Sequence, residues 1–393
     1  MSAGPLAGIR VIELAGIGPG PFAAMLLSDM GADVVRVDRM GQVDRRKIGN
    51  PPDARGTDAG PPASRDVLTR GRRSIGVDLK KPQGVEVVLR LVEAADVLLE
   101  GFRPGVTERL GVGPDRCAER NPRLIYGRMT GWGQEGPWAG MAGHDIDYLA
   151  LAGALHPIGP AGRPPTVPLN YVADFGGGGA FLAFGVACAL VERATSNQGQ
   201  VIDAAMVDGV AAITAMVHGL LARGMWTEQR EANLLDGGAP FYRCYRTADG
   251  AFMAVGALEP QFYAELLARL GLDPADWPQH DRSRWPELRR TFTDRFASRS
   301  RDEWSARFEG SDACVAPVLS PTEARTHPHM TVRGTFVEYE GLPQPAPAPR
   351  LSRTPGSLSR PPVLPGQHTA EVLAEAGFAE EEMAALREAG AVC

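Results

Sequence analysis

Ile9-Arg10-Val11-Ile12-Glu13-Leu14, then Gly16-Ile17-Gly18-Pro19-Gly20-Pro21, then Asp33-Val34-Val35-Arg36-Val37-Asp38: this run decides the fold. Two β-branched stretches flank a tight glycine- and proline-rich turn and a helical span, Phe22 to Met30. Gly31 stands where a C-cap glycine belongs. The order is strand, turn, helix, strand. Outward from it the rhythm continues. Lys81 to Ala95 has helical periodicity with Pro82 near its start, and Asp96-Val97-Leu98-Leu99-Glu100 and Leu124-Ile125-Tyr126-Gly127 read as short strands. Alternating strand and helix predicts an α/β protein with a parallel, Rossmann-like sheet covered by helices. Residues 41 to 70 interrupt the pattern with Gly, Pro, Asp and Arg, and read as a long loop, either a lid or a disordered insertion.

Further along, Phe175 to Arg193 and Val207 to Leu221 read as helices. Asp249-Gly250 joins Tyr242-Arg243-Cys244-Tyr245 to Phe252-Met253-Ala254-Val255 as a hairpin. Helices are predicted at Gln261 to Leu270, Trp285 to Ser298, Thr369 to Ala376 and Ala379 to Glu388. Residues 343 to 366 are proline-rich and predicted to run extended, strapping one domain to another.

The bulk properties narrow the function. A chain of 393 residues predicts two domains, or a large one with a smaller partner. A net charge of -6 argues against a dedicated nucleic-acid binder while leaving room for a local anion pocket. Cys117, Cys188, Cys244, Cys314 and Cys393 form no metal spacing, and an odd scattered set suits a reducing compartment. No secretory signal, membrane span or peroxisomal Ser-Lys-Leu tail is read, so the cytoplasm is expected.

Several residues invite chemistry. Gly16, Gly18 and Gly20 miss the dinucleotide pattern because position 21 is proline, so a tight turn is the better reading there, although Asp38 ends the second strand where a ribose-binding acid would sit. Arg39, Arg70, Arg72, Arg73, Lys80, Lys81 and Arg103 gather near predicted strand ends, and suit a phosphorylated ligand or a solvated charged face equally well. Gly143-His144-Asp145-Ile146-Asp147-Tyr148 and Asp174-Phe175-Gly176-Gly177-Gly178-Gly179 set an imidazole and a carboxylate beside flexible residues, as proton transfer requires. The bland readings stand beside these: a satisfied histidine, helix-capping acids at Asp145 and Asp147, a turn residue at Asp174, a first-turn acid at Glu259. His327-Pro328-His329 has no partners to complete a metal site, and none is expected.

At these residues the chain resembles the alpha-methylacyl-CoA racemases of the family III CoA-transferase superfamily. The resemblance runs from Gly8-Ile9-Arg10 to Gly366-Gln367-His368-Thr369. It is carried by Ala142-Gly143-His144-Asp145, Gly199-Gln200-Val201-Ile202-Asp203-Ala204, Leu235-Asp236-Gly237-Gly238-Ala239-Pro240 and Val255-Gly256-Ala257-Leu258-Glu259-Pro260-Gln261-Phe262-Tyr263. Transferases of the superfamily typically carry tyrosine at the His144 position, lack the Glu259 match, and use the Asp174 match as a nucleophile. That transferase activity is the alternative reading.

The resemblance implies inversion of the alpha carbon of 2-methylacyl-CoA thioesters by proton transfer through an enolate. His144 and Asp174 would be the two bases, Glu259 would hydrogen-bond His144, and the Asp145 N–H would serve as oxyanion donor. It implies CoA contacts at Arg39, Val77, Asp78, Leu79, Lys80 and Arg103, with the thioester along Gly143, Ile146, Asp147 and Tyr148. No cofactor is required, since CoA is part of the substrate; neither nucleic acid nor membrane is an expected partner. Residues 1–206, with 343–393 returning, would form a large CoA-binding domain. Residues 207–240 would be linker helices, 241–330 a smaller α+β domain and 331–342 a second linker. The implied assembly is an interlocked homodimer with shared active sites, Glu259 crossing the interface. Met206, Met216 and Met225 would line an adaptable apolar surface, or are plain core.

Overall fold

A computed structural model describes residues 4–39 and 65–393. The reading of residues 41–70 as a lid or insertion therefore falls mostly outside the described residues. By internal contacts the chain groups into two units. The first is Met1–Ala152, Leu169–Ile213 and Gly334–Cys393; the second is Gly153–Pro168 and Thr214–Arg333.

The first unit is built on six strands: β1 (Arg10–Leu14), β2 (Asp33–Arg39), β3 (Arg72–Val77), β4 (Val97–Glu100), β5 (Ile125–Thr130) and β6 (Val201–Ala205). They pair in parallel in the order β3-β2-β1-β4-β5-β6, the doubly wound order of nucleotide-binding sheets. Strands β1, β2 and β4 are buried almost end to end, as expected of a parallel sheet covered on both faces. Helix α1 (Pro19–Asp29) starts three residues before the predicted Phe22. Pro19 supplies the fixed φ that a first helical position favours, and lacks the N–H that would go unpaired there. Helix α2 (Pro82–Glu93) starts the same way and buries Val87, Val88, Leu91 and Val92 in the sheet's core cluster. Two short helices, α3 (Val106–Leu110) and α4 (Pro114–Arg120), precede β5.

Strand β3 was not predicted, because its sequence opens with two arginines. Both are buried by ion pairing. Arg72 meets Glu13 at 3.0 Å, and Arg73 meets Asp33, Glu371 and Glu375 at 2.7, 3.0 and 2.6 Å. Arg70 pairs with Asp29, the side chains both buried. These three arginines are thus committed to the fold, which corrects both of their readings, as phosphate ligands and as a solvated charged face.

Helix α5 (Asp145–Leu151) follows β5. Asp174 is not a turn residue: it and the four glycines lie inside a π-helical segment, Tyr171–Ala180, that runs directly into α6 (Phe181–Ser196), so the helix predicted over Phe175 to Arg193 is present and begins at Tyr171. The glycines are there for close approach. A Cβ on Gly177 would stand 2.8 Å from the Val210 backbone N, and one on Gly179 would stand 2.7 Å from the Pro19 carbonyl. The π segment thereby packs on α1 and on α7 (Met206–Ile213). The joined helix, Tyr171–Ser196, is by length and composition alone apolar enough to cross a membrane, although no membrane span is read from the sequence. It also carries Asp174, Glu192 and a buried Arg193 paired to Asp96 at 2.7 Å.

Helix α8 (Ala215–Ala222) is separate from α7, so the predicted helix over Val207 to Leu221 breaks at Thr214. In the second unit β7 (Tyr242–Arg246) and β8 (Phe252–Gly256) form the predicted antiparallel hairpin. Helices α9 (Pro260–Leu270), α10 (Trp285–Phe296) and α11 (Arg301–Phe308) follow, and β9 (Val315–Pro317) pairs with β8. Phe241, Tyr245, Phe292, Phe296, Trp304 and Phe308 make an aromatic core there. Helices α12 (Pro321–Thr326) and α13 (Pro328–Arg333) end the unit.

The chain then returns to the first unit as a hairpin, β10 (Phe336–Tyr339) and β11 (Leu342–Pro345). The proline-rich stretch after it binds back within its own unit. Ser357 donates to the Asp29 carbonyl, and the Arg360 carbonyl accepts from Gly71. Helices α14 (Thr369–Glu375) and α15 (Glu380–Glu388) close the chain, and Val392 forms a bridge to Val77 at the end of β3.

Candidate active site

The sheet order puts its switch point between β1 and β4, where ligands bind beyond the carboxyl ends of the strands. Gly18 follows β1 there and Arg103 follows β4. Gly18 has φ of 73°, and a Cβ built on it would lie 3.2 Å from Oδ2 of Asp174. Glycine therefore serves two needs at once: a left-handed backbone angle and room for a carboxyl. Gly18→Ala is expected to lower turnover by displacing that carboxyl. Its steady-state rate would be compared with that of Gly20→Ala, where a Cβ would meet nothing within 4 Å. Equal rates in the two variants would count against the Gly18–Asp174 contact.

His144 is the N-cap of α5. Its N–H donates to Oδ2 of Asp147 at 3.0 Å, and the Asp147 N–H donates to the His144 carbonyl at 2.8 Å. The capping reading of Asp147 is therefore correct in kind, and His144 itself is exposed. The N–H groups of Asp145 and Ile146, in the first turn of α5, have no acceptor among the described residues. Tyr148 is buried, donates to the Gly143 carbonyl at 2.5 Å, and packs edge-on against Trp132 with centroids 4.8 Å apart.

Asp145 does more than the sequence suggested. Its carboxylate is 5% exposed, and Oδ2 accepts from the N–H groups of both Ala173 and Asp174 at 2.8 Å. One side chain so ties the His144 turn to the start of the π segment. Oδ1 is buried with no partner among the described residues.

These contacts bring His144 and Asp174 into one electrostatic neighbourhood. Burial holds the Asp174 carboxyl above the ordinary carboxylate range; a hydrogen bond from Asn170 at 3.3 Å lowers it, the Asp145 charge raises it, and His144 lowers it. The Tyr148 phenol is pushed up to about 12, chiefly by burial and then by Asp174, with Arg103 opposing. His144, Asp145, Asp147, Tyr148, Asp174 and Arg103 thus form one cluster. The arrangement suits proton transfer: an imidazole, a half-buried carboxyl biased towards its acid form, and free N–H groups between them in sequence.

The remaining predicted residues lie elsewhere. Glu259 caps α9 in the second unit, where its carbonyl accepts from Tyr263 at 2.9 Å. Arg39, Lys80 and Arg103 are exposed and in no ion pair among the described residues. Val77 is buried at the end of β3; Asp78 accepts from the Lys80 N–H at 3.0 Å, and Leu79 packs against the first unit's core. Lys81 donates to the Ala389 carbonyl and is not a free cation. Among the described residues, no group of side chains could hold a metal ion. The residues that sequence reasoning missed are Gly18, Asn170 and the Asp145 side chain. Only Gly18 carried a signal, as the glycine-rich turn after the first strand of such a sheet.

Comparison with known proteins agrees with this architecture. Residues 6–369 match the model of the CoA-transferase family III. The chain is 49% identical over 382 residues to a Mus musculus protein named alpha-methylacyl-CoA racemase, covering 96% of this chain and 95% of the relative. It is 47% identical over 383 residues to the Homo sapiens protein of the same name, covering 96% and 95%. Among solved structures, a CAIB/BAIF family protein from Brucella suis superposes with a TM-score of 0.81 at 27% identity, over 96% of this chain and 100% of that one.

Proposed function

Because the chain belongs to CoA-transferase family III, we propose that it is an alpha-methylacyl-CoA racemase, which inverts the alpha carbon of 2-methylacyl-CoA thioesters. The observation that carries this reading is the electrostatic coupling of an imidazole, His144, to a carboxyl with raised proton affinity, Asp174.

A thioester acidifies its alpha hydrogen because the enolate spreads charge onto oxygen. Inversion needs a base on one face of the carbon and an acid on the other. With one epimer bound, His144 removes the alpha proton and Asp174 delivers one to the opposite face; with the other epimer the roles exchange. In each direction the enolate oxygen gains charge opposite the Asp145 N–H, which has no acceptor among the described residues. The raised proton affinity of Asp174 favours its serving as an acid near neutral pH.

The phosphate-bearing end of CoA is assigned to Arg39, Lys80 and Arg103 with the Val77–Leu79 backbone, since those cations have no ion pair among the described residues. Apart from that CoA, which arrives with the substrate, the reaction as written uses no cofactor. A homodimer is part of the proposal. Phe181, Phe184 and Val191 lie along α6 with exposures of 38%, 67% and 74%, an apolar stripe suited to a second copy. In that assembly Glu259 of the partner subunit would hydrogen-bond His144, fixing its tautomer. The large and small domains would then meet at a shared site. All five cysteines are free, which favours a reducing, cytoplasmic setting.

The test is inversion in deuterated water. Both epimers of a 2-methylacyl-CoA should gain deuterium at the alpha carbon. Inversion that retains the original hydrogen would sink the two-base scheme, and an acyl group trapped on Asp174 by hydroxylamine would assign the site to group transfer instead.

A further inference from the structure

We propose that the Asp145 carboxylate is a positioning residue for proton transfer: it clamps the start of the π segment through Oδ2, and its charge acts on the Asp174 carboxyl. The proposal rests on the racemase reading above and deepens it.

Capping alone does not explain a charge at this position. Burying a carboxylate is costly unless its oxygens are paired. Oδ2 is paired twice, with the N–H groups of Ala173 and Asp174 at 2.8 Å. Oδ1 is buried and has no partner among the described residues. Two helix starts offset part of the cost, since Asp145 opens α5 and accepts from the first turns of the π segment. An asparagine would make the same two bonds through its carbonyl without a buried charge. What the charge adds is its effect on Asp174. The groups facing Asp174 are Asp145 and His144 from α5, Asn170 at 3.3 Å and the Gly18 turn; Tyr148 senses it from α5, with Asp147 and Arg103 acting on Tyr148. Among these, Asp145 opposes ionisation of Asp174, whereas Asn170 and His144 favour it.

The consequence is directional. Without the Asp145 charge, Asp174 ionises more readily and less often has a proton to give. An enolate formed by His144 would then be reprotonated by His144, from the same face. The hydrogen would exchange with solvent while the configuration returned unchanged.

Asp145→Asn tests this in the full-length protein. The expected result is a thermal midpoint near that of the parent and inversion reduced several-fold. The acid limb of the kcat/KM profile should move to lower pH. The ratio of deuterium exchange to inversion should rise several-fold for the epimer whose alpha hydrogen faces His144. An unchanged limb and an unchanged ratio would overturn the proposal. Should Asp145→Asn fail to fold, Asp145→Glu decides: it keeps the charge and disturbs the clamp, so kcat should fall with the acid limb in place, and a shifted limb would overturn the proposal. If the parent protein exchanges no alpha hydrogen, the racemase reading has failed; if the parent exchanges and inverts while the variant behaves identically, only the role of Asp145 has failed.

Discussion

An Asp174→Asn variant should lose inversion by a factor of about 10²–10⁴, the usual worth of acid–base catalysis, while its fold becomes no less stable at neutral pH. The first half follows from the two-base scheme, since an amide neither accepts nor delivers the proton. The second half follows from linkage. Burial raises the folded-state pKa of Asp174 above its unfolded value. Such a group favours the fold below its unfolded pKa and loses that contribution as pH rises through the folded pKa. At neutral pH the carboxyl therefore weighs against the folded state, and the amide removes that penalty. Epimer ratios by chiral chromatography and a thermal melt at pH 7 would check both halves. Near-normal turnover would take Asp174 out of the reaction, and a marked drop in the melting midpoint would contradict the electrostatic reading of its surroundings.

Arg72→Leu should destabilise the first unit by about 3–5 kcal/mol, the cost of leaving a buried charge without its partner. Arg72 is fully buried in β3. It donates to Oε2 of Glu13 at 3.0 Å, to the Arg70 carbonyl at 2.8 Å, and to the Pro21 carbonyl in the first turn of α1. Glu13 is 1% exposed and its Oε1 already has no partner among the described residues. Losing the guanidinium leaves a carboxylate in the sheet with nothing to balance it. The double variant Glu13→Leu with Arg72→Leu should recover most of the loss, because removing both charges also removes the burial cost. Urea unfolding of the single and double variants measures this. A single variant within about 1 kcal/mol of the parent, the size of an exposed ion pair, would show the bridge to be a surface-like contact.

The same two residues mark where the sequence was legible and where it was not. Parallel strands made of Val, Ile and Leu announce themselves, and so do helices with proline in the first turn; β1, β2, β4, α2, α9 and α10 were all expected within a few residues. Strand β3 hid because its burial depends on partners far away in sequence: Glu13, Asp33, Glu371 and Glu375. No local pattern reports such a pairing. The helix from Phe175 was legible, but its π-helical start at Tyr171 was not: only the backbones of α1 and α7 lying against the four glycines explain that close packing. At the site, His144 and Asp174 were legible as residue types. The carboxylate of Asp145 was read only as a local helix-capping acid, since its value lies in two hydrogen bonds to a segment almost thirty positions away.

The π segment has one more implication. It and α6 are a single rod, with Asp174 near one end and Phe184 and Val191 along the other. Deleting or adding one residue between them would turn everything downstream by about 100°. The Asp174 carboxyl and the apolar stripe are thus geared: neither can be re-aimed without swinging the other. A loop in place of this rod would let each drift alone, so selection on either one fixes the spacing of both.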